Sequence, residues 1–170
     1  MAGIKGKYWQ DITDGSNTYK MDHLHPFSFT HTKQDNTSVC IHVSFENHVF
    51  TDEKETSHIQ IDGRYFSLNR YECSKQLREL ITTNFMDNHV VVYKNKKNNE
   101  SYYYTEKYDY AIFFNMAKID NNTLKMKVIS AYEVDSWGKS SLPKGEKITA
   151  SFLTHLKLIG KSYLKKTKKR

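Results

Sequence analysis

The sequence predicts an α+β fold, a largely antiparallel sheet with one main helix packed on it. Three observations lead there. Runs that alternate apolar and polar residues recur along the chain, as half-buried strands do. One stretch, residues 71–83, instead repeats its apolar residues at helical spacing. Clusters of Asn, Asp, Gly and Lys separate the runs with turns. Aromatic residues make up 14% of the 170, so a core can form despite an apolar content of only 38%.

Residues 1–22 read as irregular, with Asp11, Asp14, Gly15, Ser16 and Asn17 marking turns. Phe27–Thr32 alternates and is a strand; 34–38 turns the chain; Val39–Phe45 is the second strand of a hairpin. In it Val39, Ile41, Val43 and Phe45 share one face, and Cys40, His42 and Ser44 the other. A polar stretch, 51–58, precedes a short strand at Ile59–Ile61 and an Asp62-Gly63 turn. The helix 71–83 places Cys73, Leu77, Leu80 and Ile81 on one face, with Asn69 as N-cap and Glu72 completing a capping box.

Four strand-like runs follow: His89–Lys94, Ser101–Thr105, Tyr108–Ala117 and Leu124–Val134. In the last, Leu124, Met126, Val128, Ser130 and Tyr132 point one way by strict alternation. Residues 136–145 form a loop. Residues 146–158 read as a final strand or a short helix, with the strand favoured because Ile, Thr and Phe dominate the first half. Residues 1–160 then form one globular domain, and 161–170 a basic C-terminal tail.

Charge is unevenly placed. Lys and Arg number 26 against 19 Asp and Glu, a net charge of +7. Lys157, Lys161, Lys165, Lys166, Lys168, Lys169 and Arg170 account for all of it, and the rest of the chain is balanced. Such a tail suits phosphate backbones. Only 7 Gly and 2 Pro exclude collagen-like and linker-type chains. No apolar run is long enough for a membrane span, and the first residues lack a signal-peptide core, so a cytoplasmic location is expected. Cys40 and Cys73 make neither a disulfide framework nor a Cys-x-x-Cys pair.

Six histidines cluster early: His23, His25, His31, His42, His48 and His58. Imidazole is the natural acid or base near neutral pH and a common metal ligand. His23-Leu24-His25, with Cys40, His42 or His48 alongside, has zinc-ligand chemistry, but no spacing matches a zinc module. Packing of the turn at Pro26 is the competing reading. No metal site is assigned, and no cofactor is called for. Arg64 and Arg70 flank the start of the helix, where free N–H groups and a guanidinium suit phosphate; Ser74 and Lys75 would join them. The competing reading pairs Arg70 with Glu46 or Asp62. Tyr102, Tyr103, Tyr104, Tyr108, Tyr110, Phe113 and Phe114 crowd two strands, chiefly as core, except those of the Tyr102–Tyr104 run that must face outward, where they can stack unpaired bases. Phosphate-loop, dinucleotide and nucleophile-elbow motifs are absent.

Four segments recur together in one order: Tyr19 with His23-Leu-His-Pro-Phe27, Val43–Thr51 with its Ser-Phe-x-x-His-x-Phe-Thr core, Arg70–Leu77, and Ser130-Ala-Tyr132. On these the chain resembles a family of small uncharacterised bacterial proteins met in mobile or prophage-like settings. More loosely, it resembles the ribonuclease superfamily of barnase and the RelE-type toxins. That resemblance implies a metal-independent, toxin-like endoribonuclease. One group takes the 2′-OH proton, another protonates the leaving 5′-oxygen, and cations hold the phosphorane charge. His25 and His48 would be acid and base, with Arg70 stabilising phosphate and Tyr132 or Ser130 orienting it. Arg64, Ser74, Lys75 and the tail residues Lys165, Lys166, Lys168, Lys169 and Arg170 would hold the RNA. Expected partners are nucleic acid, RNA above all, and a protein such as an antitoxin or host factor. The alternatives are a non-enzymatic interaction or inhibitor protein of a mobile element, and a nucleic-acid-binding module.

Overall fold

Period-two alternation carries the chain into twelve strands among the described residues, seven of which pair into one sheet. The computed structural model describes residues 4–105, 109–134 and 142–164. Strands β1 (Ile12–Asp14) and β2 (Asn17–Tyr19) form a small hairpin, turned at Gly15 with a positive φ of 59°. Strands β3 (Phe27–Thr32) and β4 (Ser38–Phe45) form the expected hairpin. Three very short strands, β5 (Thr51–Asp52), β6 (Gln60–Ile61) and β7 (Arg64–Phe66), make a separate sheet in the order β5-β7-β6.

A helical run comes next: α1 (Leu68–Ser74), α2 (Leu77–Glu79), a π turn at Leu80–Asn84 and a 3-10 turn at Phe85–Asp87. It corrects the continuous helix expected over 71–83. The cap is Ser67, whose hydroxyl accepts from the Arg70 N–H at 3.3 Å, so the helix begins before Asn69. Within the π turn, Thr82 and Thr83 turn their hydroxyls back onto the carbonyls of Arg78 and Glu79, at 2.8 and 2.7 Å. Leu77, Ile81 and Phe85, four residues apart, stay buried along one stripe throughout.

Strands β8 (His89–Lys94), β9 (Glu100–Thr105), β10 (Tyr110–Asp120) and β11 (Thr123–Glu133) then meander, and β12 (Glu146–Thr149) leads into α3 (Ala150–Leu158). The main sheet runs β12-β8-β9-β10-β11-β4-β3. Every pairing is antiparallel except β11 with β4, so the fold is α+β with a largely antiparallel sheet. Gly145 passes so close to β8 that a Cβ there would lie 2.0 Å from the Val92 carbonyl oxygen. The strand expected over 146–158 stops at Thr149, whose hydroxyl caps α3 by accepting from Phe152 N–H at 3.1 Å. Ala150, Leu153, Thr154 and Leu158 are then buried at helical spacing.

Buried residues from Trp9 to Leu158 form one cluster. At its centre Phe85 sets its ring edge-on against Tyr104 and Phe114, at 6.0 and 5.2 Å. Tyr102 and Tyr104 are buried in this core, and Tyr103, between them in the alternation, lies on the opposite face of the sheet with Tyr93 and Phe113. Tyr102 tolerates burial because its hydroxyl donates to the Glu100 carboxylate at 2.6 Å. The alternation expected along β11 also fails midway. Phe113 pairs with Ser130 but Phe114 with Val128, leaving Ile129 as an extra residue. After this bulge Ala131 joins the core, and Ser130 and Tyr132 turn to the face of Phe113. Among the described residues no helix is long and apolar enough to cross a membrane.

Candidate functional site

On the sheet face away from the Phe85 core, four neighbouring strands each present one aromatic ring. Tyr93 of β8 lies 5.8 Å from Tyr103 of β9, which lies 5.4 Å from Phe113 of β10. Phe113 in turn stacks on Tyr132 of β11, with centroids 5.5 Å apart and planes 17° apart. Tyr93, Phe113 and Tyr132 are only half-buried, whereas Tyr103 is buried and donates its hydroxyl to the Pro143 carbonyl at 2.9 Å. With Asn95, Ser101 and Ser130 they line a concavity of about 310 Å³. Burial raises the pKa of Tyr93, Tyr103 and Tyr132, so the phenols are neutral at physiological pH.

A charged cluster adjoins the Tyr132 end. The first turn of α1 sends Arg70 over the Tyr132 ring, 5.2 Å from its centroid. Its Nη1 donates to the His48 carbonyl at 3.0 Å, and its Nη2 lies 3.4 Å from Asp52. Arg64 donates through Nε to Thr51 Oγ1 at 3.0 Å and lies 3.5 Å from Glu53. The Lys54 backbone N–H lowers the pKa of the Asp52 carboxyl, and both arginines add to this. His48 is held below the usual imidazole range, first by burial, then by Arg64 and Arg70. The imidazole is therefore neutral at pH 7, and two guanidiniums face two carboxylates. Arg70 thus pairs with Asp52, not with Glu46 or Asp62, which are taken by Lys127 and Lys7 at 2.7 Å each.

His48, Arg64, Arg70, Ser130 and Tyr132 are brought together. Other expected site residues are not. The His25 Nε2 bonds the Trp9 carbonyl at 2.9 Å and its ring packs on Tyr8; among the described residues no hydrogen bond or ring contact joins it to His48 or Arg70. Ser74 is buried, which corrects its expected place in an open phosphate site. Its hydroxyl donates to the Tyr71 carbonyl at 2.6 Å and lies 2.8 Å from His23 Nε2, within hydrogen-bond distance. Lys75 pairs with Glu72 at 2.9 Å and lies over Tyr71. Lys157, counted with the tail, ends α3 instead and lies 3.9 Å from Glu100. That carboxylate also accepts from the Ser162 hydroxyl and the Tyr163 and Leu164 N–H groups. Lys165, Lys166, Lys168, Lys169, Arg170 and Tyr108 lie outside the described residues.

Cys73 donates to Glu133 at 3.2 Å, and burial pushes its thiol up to about 11, so it is not a thiolate at neutral pH. Among the described residues no three His, Cys, Asp or Glu side chains converge to hold a metal ion. Sequence reasoning overlooked Tyr93. Its signal was available in β8, where Val90 and Val92 alternate inward and leave Val91 and Tyr93 outward.

Comparison with known proteins places these features in a family. No curated protein and no solved structure matches the chain. The YjaZ family model matches residues 11–158, a span that contains the aromatic row, both arginines and His48. On that match, the chain belongs to the YjaZ family.

Proposed function

We propose that this protein binds single-stranded nucleic acid, RNA by preference, along the open aromatic face of its sheet. The carrying observation is the half-exposed rings of Tyr93, Phe113 and Tyr132 on one sheet face, packed around the buried Tyr103, with the Arg70 guanidinium over Tyr132. Half-exposed rings on one sheet face offer stacking surfaces to unpaired bases. The described charges beside the row are nearly balanced, so stacking supplies most of the affinity and the basic tail adds a salt-sensitive part.

The test is titration of a labelled single-stranded RNA with the full chain, read by fluorescence anisotropy. Phe113→Ala and Tyr132→Ala are each expected to weaken binding about five- to a hundredfold, the worth of one base–ring stack. Wild-type binding that survives both substitutions overturns the reading.

One observation favours a second reading, RNA cleavage of the ribonuclease type. His48 is a neutral imidazole beside two arginines, the state a general base needs at pH 7. His25 is committed to the Trp9 carbonyl, so the acid for the 5′-oxygen is unassigned, and binding stands first. Incubating the same RNA with wild type and His48→Ala, with chelator present, separates the two. Cleavage lost in His48→Ala supports the second reading.

A further inference from the structure

The bulge in β11 lies inside the proposed binding face. Without Ile129 as the extra residue, Ser130 and Tyr132 would continue the inward set of Leu124, Met126 and Val128. The bulge re-aims both beside Phe113, as bulges next to functional sites do. The resulting concavity, about 310 Å³, is at the small end of ligand pockets, which begin near about 300 Å³. It has room for one heterocyclic base rather than a dinucleotide.

The polar groups around it differ in what they have left to offer. Asn95 is committed: its Nδ2 donates to Ser101 Oγ at 3.0 Å, and its Oδ1 accepts from the Lys97 and Asn99 N–H groups at 2.9 and 3.1 Å. Ser101 is buried and already accepts from Asn95. The Ser130 hydroxyl lines the concavity and makes no side-chain hydrogen bond with the described residues.

We infer that the concavity at the bulge is a base-selective subsite, in which the Ser130 hydroxyl reads the polar edge of one nucleobase held against Phe113 and Tyr132. This rests on the single-strand reading and deepens it. Stacking tolerates every base because each has a π-face, so selectivity comes from a hydrogen bond at the base edge. A hydroxyl both donates and accepts. Ser130 is thus the specificity-determining residue, and Ile129 positions it.

The test titrates the full chain with short RNA homopolymers of A, C and U at fixed salt. Wild type is expected to prefer one of them. Ser130→Ala should shrink that preference about three- to tenfold, the worth of one hydrogen bond. Ser130→Thr, which keeps the hydroxyl, should retain it. An unchanged preference in Ser130→Ala, equal weakening for all three RNAs, or a wild type that binds all three alike overturns the inference and leaves the single-strand reading standing. A wild type that binds none removes both.

Discussion

The Arg70 guanidinium lies 5.2 Å from the centre of the Tyr132 ring while its Nη1 donates to the His48 carbonyl. One side chain therefore ties α1 to β11 and to the turn carrying His48. Its side chain is 19% exposed, so these bonds are largely shielded from water. Arg70→Ala is expected to lower stability by about 1.5–3 kcal/mol, the range for hydrogen bonds to charged groups. Arg70→Lys keeps the charge but loses the planar fork that reaches His48 and Asp52 together, so it should recover only part. Urea unfolding of the three proteins checks this. A fully stable Arg70→Ala would show that the cluster is not a structural joint.

Two histidines make stability depend on pH. Burial lowers the pKa of His23, and burial with Arg64 and Arg70 lowers that of His48, each from 6.5. The unfolded chain therefore binds more protons than the folded one as pH falls through that region. Their contribution is fully present above about 6.5, the unfolded value, and is lost progressively below it. Urea midpoints should hold between pH 8 and 7 and fall between pH 7 and 5. A His23→Gln, His48→Gln double variant should flatten that fall. An equal fall in the variant would assign it to other groups.

The helix caps separate sequence expectation from structure. Ser67→Ala removes the acceptor for the Arg70 N–H and should cost about 1 kcal/mol. Asn69→Ala, at the position expected from sequence, should cost a few tenths at most, as exposed substitutions outside a cap do. Thermal melts of both variants decide it. The reverse order would restore the later helix start.

Much of the sheet was legible because period-two alternation survives in single sequences. Phe27–Thr32, Val39–Phe45, His89–Lys94 and Ser101–Thr105 emerge as strands with nearly their structural bounds. What escaped depends on non-local or single-residue effects. A bulge at Ile129 leaves no compositional mark, yet it reverses Ser130 and Tyr132. Thr149 favours strand by propensity but acts as a helix cap. Asp52, the partner of Arg70, sits on a two-residue strand too short to show a period. Among candidate site residues, Arg70, His48 and Tyr132 are spatial neighbours, whereas Ser74 was misplaced because its neighbours Tyr71 and His23 bury it.

The most direct measurement is an aromatic-proton NMR titration of the full chain with single-stranded RNA. Ring resonances of Tyr93, Phe113 and Tyr132 should move as bases stack on them, while those of Phe85 and Tyr102, on the buried face, should stay. Resonances of the row that remain still at saturating RNA, or equal shifts on both faces, would contradict the account.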